Sequence, residues 1–273
     1  MKCMICDSST SYYFSKNYAE PYFRAVTGVE KVDYYRCDNC GFVVSKTHVD
    51  MPDDVWAELN FQFHHQHEER GLYSDINQPP YIEQALMLAL LGENNIVDLS
   101  NVIDFAAGYG RLSQMLSRYF RVDLPVYDPY VVSSSAGVSY LAANELNKYK
   151  TVINSAMFEH VRSRFDLDRV YDLVSDDGCL IIHTLVCERI PNDPDWFYLN
   201  PPVHSAFHTN KSMEILMRQW GFKSSLYSPK SKCWVLFREE VDAVQDQISK
   251  INRELQQIWF YCKAGFVDYW KGF

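Results

Sequence analysis

Residues 102–116, VIDFAAGYGRLSQML, constrain the fold more than any other stretch of this chain. VIDFAA is apolar at successive positions apart from Asp104, so a strand made of it has both faces buried. Gly108 and Gly110 follow, able to take the left-handed backbone of a tight turn, and RLSQMLSRYF then reads as a helix. A doubly covered strand that runs through a turn into a helix belongs in a parallel sheet with helical crossovers. The same alternation continues: LPVYD and KTVINSA read as strands, RVYDLVSDDG as a helix with its cap, and CLIIHTLV as a strand. Upstream, Pro79 and Pro80 open a helix with an apolar face of Ile82, Ala85, Leu86, Ala89 and Leu90, stopped by Gly92. The pattern predicts a doubly wound, mostly parallel α/β sheet with its ligand at the C-terminal strand ends.

Two C-x2-C pairs, Cys3/Cys6 and Cys37/Cys40, lie 30 residues apart in front of this domain. Each pair bends two thiolates onto one side of a turn, and two such turns supply four sulfurs for a tetrahedral zinc ion. A thioredoxin-type redox centre uses a single pair beside a βαβ unit, so the spacing favours zinc, and four protein ligands make it structural. The aromatic stretch between the pairs is expected to form a small sheet packed on the metal site. Cys179, Cys187, Cys233 and Cys262 stand among apolar residues and read as small core side chains.

The segment MKCMICDSSTSYYF has no apolar stretch of the secretory kind, and no run of 18 apolar residues offers a membrane span, so the expected location is the cytoplasm. With 35 acidic against 26 basic residues, a net charge of -9, and no basic stripe, the sequence argues against a nucleic-acid groove.

Asp104 heads the glycine turn, where it would repel a pyrophosphate and attract a ligand carrying an ammonium group. S-adenosylmethionine carries a sulfonium and an ammonium and no phosphate. Asp128, 24 residues on, stands where a strand-end acid accepts both ribose hydroxyls, and Tyr130 beyond it could cover an adenine. Asn154 and Ser155 are polar contacts for the amino-acid end of such a cofactor. Tyr73 and Tyr81 are further candidates to cover its methionine end.

These residues resemble the class I S-adenosylmethionine-dependent methyltransferases, whose first motif runs acid-x-Gly-x-Gly-x-Gly. Here it reads Asp104-Phe105-Ala106-Ala107-Gly108-Tyr109-Gly110, with Ala106 at the place of the first glycine. VINSAMFEHV resembles the fourth-strand segment of many small-molecule methyltransferases, LVSDDGCLIIHT their helix-turn-fifth-strand segment, and HSAFHTNKSMEILMRQWGF the stretch before the last strand pair. The resemblance spans about residues 79–238 and implies a Rossmann-like sheet of seven strands. A four-cysteine module ahead of this domain is similar to the arrangement in some bacterial sugar methyltransferases, including C-methyltransferases of nucleotide-linked deoxysugars. Those C-methyltransferases carry a further C-terminal domain that 273 residues are not expected to hold, so the resemblance implies O-methylation of a sugar ahead of C-methylation of a nucleotide-linked one.

Transfer to a hydroxyl requires a base, and the Glu159-His160 pair after the fourth strand supplies the first candidate, with Glu159 orienting the ring or accepting substrate hydroxyls. His204 and His208, in the segment after the fifth strand where substrate-binding insertions are common, are the alternatives. Glu159 and His160 could instead merely cap the next helix and close the cofactor pocket, and His204 and His208 could be loop histidines with no catalytic task. His183 reads as a strand-end histidine, and His64, His65 and His67 as a solvated or substrate-facing helix end.

From Val241, Val244, Ile248, Ile251, Leu255, Ile258 and Cys262 recur at steps of three and four, predicting a helix that folds back on the sheet or pairs two copies of the chain. The expected organisation is a zinc-binding module over 1–51, a linker and lid segment over 52–78, a methyltransferase domain over 79–238 and a helical tail over 239–273. The expected activity is methyl transfer from S-adenosylmethionine to a small polar acceptor, foremost a sugar hydroxyl of a glycan or secondary-metabolite precursor. An RNA methyltransferase with a zinc knuckle and a non-catalytic assembly protein with a degenerate cofactor fold are the alternatives.

Overall fold

The computed structural model describes residues 1–65, 79–131 and 137–268; the candidates His67 and Tyr73 lie outside the described residues. The chain divides into two compact units, residues 1–78, 158–167 and 185–215 in the first and residues 79–157, 168–184 and 216–273 in the second.

The second unit holds α4 (Tyr81–Glu93), β4 (Val102–Phe105), α5 (Arg111–Phe120), β5 (Val126–Tyr127), β6 (Tyr149–Ser155), β7 (Val174–His183), β10 (Ser224–Ser228), β11 (Cys233–Phe237), α8 (Asp242–Glu254) and β12 (Tyr261–Ala264). Its seven strands form one sheet in the order β12-β10-β11-β7-β6-β4-β5. Pairing from β5 through β4 and β6 to β7 is parallel, and β7, β11, β10 and β12 pair antiparallel. Every residue of β4 is buried, as a strand covered on both faces requires.

Three local expectations are corrected. Helix α4 buries Gln84, Ala85, Met87, Leu88 and Leu91 while Ile82 is exposed, because a helix apolar on nearly every side gives periodicity no face to choose. The segment SDDG is not a helix cap. It is a bulge within β7, where the register against β6 jumps and Gly178 passes so close that a Cβ would stand 2.9 Å from the carbonyl oxygens of Tyr149 and Lys150. The tail helix ends at Glu254, since Asn252 folds the chain back by donating to Phe260 O (2.8 Å) and accepting from Trp259 N (2.9 Å) and Phe260 N (3.1 Å). Val244, Ile248 and Ile251 are buried in this unit's own core, Ile258 is exposed, and Cys262 lies in β12.

The first unit holds β1 (Thr10–Asn17), α1 (Pro21–Thr27), β2 (Lys31–Cys37), β3 (Val43–Ser45), α2 (Lys46–Val49), α3 (Asp53–His64), β8 (Val186–Cys187) and β9 (Ala206–Thr209). Its sheet runs β1-β2-β3-β9-β8, so the expected small sheet is completed by strands from far along the chain. Its core is aromatic: Phe14 stacks on Tyr34 with ring centres 5.0 Å apart, and Tyr34 meets Phe207 at 5.7 Å. The remaining helices are α6 (Arg164–Tyr171) and α7 (Asn210–Gln219). Among the described residues no helix is long and apolar enough to cross a membrane.

Candidate active site

In the second unit the end of β4 is tied to β5 by two amides, Ala106 N and Ala107 N, that donate to Tyr127 O at 2.7 and 3.2 Å. The turn that follows is left-handed at Ala106 (φ 61°), Gly108 (φ 53°) and Gly110 (φ 66°). Gly110 caps α5, and a Cβ there would stand 2.7 Å from Val138 Cγ1, so both its backbone and its surroundings require glycine. Asp128 ties the turn from below. Its Oδ2 accepts from Gly108 N at 2.8 Å and its Oδ1 from Tyr130 N and Val131 N at 2.8 and 2.9 Å. A carboxylate offers about four acceptor positions, so a ribose has to share Asp128 with these amides. Tyr130 stands half-buried beside them.

Asp104 is 2% exposed, and its Oδ1 has no hydrogen-bond partner among the described residues. Burial first, and the charge of Asp128 second, push its carboxyl up to about 8. Asn154 donates from Nδ2 to Phe105 O at 2.8 Å, and its buried Oδ1 likewise finds no donor among the described residues. Ser155 Oγ donates to Gln84 Oε1 at 3.1 Å. Two buried acceptors without donors cost stability unless a ligand brings N–H or O–H groups to them. An ammonium group fits this environment, and a pyrophosphate, which brings only further acceptors, does not.

The four candidate catalytic residues, Glu159 and the possible bases His160, His204 and His208, all lie in the first unit. Glu159, in a turn of 3-10 helix, is 2% exposed, and its Oε1 accepts from the Tyr198 hydroxyl at 2.8 Å. That hydroxyl in turn accepts from Leu185 N at 3.2 Å. His204 Nδ1 donates to Tyr198 O at 2.6 Å, which assigns the neutral tautomer and leaves Nε2 as an acceptor. The rings of His160 and His204 stand 5.0 Å apart at 71°. Glu159, His160 and His204 each offer one donor atom, all within 4.8 Å of one another. Burial holds His204 near 4 and His160 well below the usual imidazole range, with His204, His64 and His48 adding repulsion at His160. His64, expected at a solvated or substrate-facing helix end, is close enough to be felt by His160. His208 stands apart: wholly buried, it donates from Nε2 to Phe158 O at 3.2 Å and packs on Phe42 and Phe158.

Cys3, Cys6, Cys37 and Cys40 bring their sulfurs within 4.8 Å of one another, with Cys3–Cys40 at 3.7 Å and Cys6–Cys37 at 3.5 Å. Sulfurs at about 2.3 Å from a tetrahedral zinc stand roughly 3.8 Å apart, so the cluster has the size of a zinc site. Amides of Ile5 and Cys40 point at Cys3 Sγ and Cys37 Sγ, both at 3.4 Å, as thiolates in such sites require.

Two residues central to these environments carry no sequence signal. Tyr198 is one of 19 tyrosines. Gln84 lies within an otherwise apolar helix, where only its burial, at 1% exposure, sets it apart.

Residues 76–225, more than half of the chain, match the family model described as a methyltransferase domain. No curated protein matches the sequence. Among solved structures the chain is similar to a SAM-dependent methyltransferase, described as a possible histamine N-methyltransferase, from Thermotoga maritima, at 12% identity and a TM-score of 0.44 over 67% of this chain and 100% of that one. It is similar to the plantazolicin methyltransferase BpumL in complex with SAH, at 10% identity and 0.45 over 68% and 96%. It is also similar to the magnesium protoporphyrin IX methyltransferase of Synechocystis PCC 6803 with bound SAH, at 15% and 0.40 over 67% and 95%.

Proposed function

The chain belongs to the family of methyltransferase domains, and from that premise we propose that it transfers the methyl group of S-adenosylmethionine to a small polar acceptor, a sugar hydroxyl of a glycan or secondary-metabolite precursor. The observation that carries the cofactor assignment is the pair of buried oxygens, Asp104 Oδ1 and Asn154 Oδ1, that await donors. Asp104, Asn154 and Ser155 receive the amino-acid end of the cofactor, the turn Ala106, Gly108 and Gly110 lets it approach the backbone, Asp128 takes the ribose, and Tyr130 covers the adenine. The sulfonium activates the methyl carbon, so the protein's tasks are alignment, exclusion of water and removal of the hydroxyl proton.

Glu159, His160 and His204 handle the acceptor, with His160 first in line for its proton. Glu159 follows the last residue of β6 by four positions. His208 keeps to the core of its unit. The choice of a sugar rests on the resemblance of the four-cysteine module and the domain behind it to sugar methyltransferases. Zinc in the four-cysteine site is structural, holding together the turn before β1 and the turn after β2, which lie at the same end of that antiparallel pair.

Calorimetric titration with S-adenosylhomocysteine and, separately, with NADH tests the cofactor. Micromolar binding of the first with none of the second is expected. Binding of NADH alone, or of neither, would overturn the proposal. Turnover on a panel of sugars, scored by methyl incorporation, then tests the acceptor.

A further inference from the structure

The geometry points to a second metal centre: Glu159, His160 and His204 hold a divalent first-row transition ion through one carboxylate oxygen and two imidazole nitrogens. The inference goes beyond the proposed methyl transfer and does not depend on it, since the donor set would take up an ion whatever the reaction.

Three features support it. The donor atoms already converge within 4.8 Å. Two imidazoles bound at about 2.1 Å in a tetrahedral site place their ring centres roughly 5 Å apart, and those of His160 and His204 stand at 5.0 Å. The donors are also oriented from behind, as metal ligands generally are. Tyr198 performs this twice: its hydroxyl fixes Glu159 Oε1 and its carbonyl engages the Nδ1–H of His204, which leaves Nε2 as that ring's ligand atom. Glu159 and His204 are 2% and 7% exposed, so neither reaches the cluster by chance of a mobile surface side chain.

Two nitrogens and one oxygen suit zinc, iron(II) or manganese(II), whereas magnesium and calcium prefer oxygen alone. This centre differs from the four-cysteine site in ligand chemistry and in completeness. Three protein ligands leave at least one position for an oxygen from outside the protein. A hydroxyl bound there would release its proton to solvent nearer neutral pH, which gives His160 a holding task in the loaded protein.

The test is to load the full chain with cobalt(II), remove excess ion by gel filtration, and measure bound cobalt together with the visible spectrum. Two ions per chain are expected: one with intense thiolate-to-metal absorption and one with only the weak bands of nitrogen and oxygen ligands. Glu159→Gln and His160→Gln should each reduce the count to one and leave the thiolate absorption in place. A wild-type count of one, with thiolate absorption alone at saturating cobalt, overturns the inference, as does a folded variant that still binds two. The wild-type count decides the matter even where a buried substitution prevents folding. Titration of the same preparation with S-adenosylhomocysteine reports on the cofactor assignment separately.

Discussion

Tyr198 and Glu159 are joined by a hydroxyl-to-carboxylate hydrogen bond of 2.8 Å, with the carboxylate 2% exposed. A hydrogen bond of this kind contributes about 0.5–1.5 kcal/mol net, and it fixes where the carboxyl group points. Tyr198→Phe keeps the ring, which lies against His204 at 4.6 Å, and removes only the hydroxyl. Affinity for the ion bound by Glu159, His160 and His204 should fall about 10–100-fold. Measured by competition with a chelating dye, an unchanged affinity would show that Glu159 is oriented by other groups.

Ala106 occupies a left-handed conformation at φ 61°, a position where an L-residue costs about 1–2 kcal/mol. Ala106→Gly relieves that cost, offset by the greater freedom of glycine in the unfolded chain. We expect a net gain of about 0.5–1 kcal/mol in urea unfolding with S-adenosylhomocysteine binding retained. A loss of stability would mean that the alanine methyl packs better than its backbone suffers.

Asp104 has its carboxyl raised to about 8 by burial and by the charge of Asp128. The folded protein therefore holds a proton that the unfolded chain releases near the ordinary carboxylate value of about 3.9. Its contribution to stability is present below that value and is lost as the pH rises toward about 8. Asp104→Asn should flatten this part of the stability profile. Because an ammonium ligand requires the ionised carboxylate, the affinity for S-adenosylhomocysteine should rise between pH 6 and 8 in the wild type and stay flat and weak in Asp104→Asn. Calorimetry across that range checks both, and a flat wild-type profile would place the ammonium elsewhere.

Removal of metal from the four-cysteine site should lower the thermal midpoint of the first unit, with recovery on adding zinc. Cys3 and Cys37 are wholly buried and Cys40 is 2% exposed, so without the ion their thiols would have to be accommodated in the interior. Differential scanning calorimetry after chelation follows the transition. A midpoint that stays constant while bound zinc falls to zero would make the ion dispensable for the fold.

The sheet of the second unit was legible because its information is local. VIDF is apolar enough to require cover on both faces, and the two glycines mark where strand gives way to helix. The bonds of Asp128 to three amides were not legible, since they depend on how the chain closes after β5. What sequence could not supply was pairing at a distance. Glu159 and His160 stand together in sequence, whereas His204 reaches them only because β9 joins the sheet of the first unit beside β3. Tyr198 becomes visible only when that loop has folded. The face of α4 failed for a different reason: the helix is apolar on nearly every side, so spacing gives no face to choose, and the polar Gln84 gives no sign that it is buried.

The pairing of Val43 with Phe207 and of Val44 with Ala206 also governs the order of events during synthesis. The edge of β3 is complete only after about 160 further residues have been made, which at typical elongation rates takes on the order of ten seconds. Throughout that interval the nascent chain exposes an apolar strand with unpaired amides, a surface prone to joining other chains. Cys40, whose carbonyl later accepts from Thr209 Oγ1 at 2.5 Å, already has its three sulfur partners by then. Early uptake of zinc would keep that edge in register while it waits. Starving a growing culture of zinc should therefore drive this protein into inclusion bodies during expression, even if the finished molecule tolerates the loss.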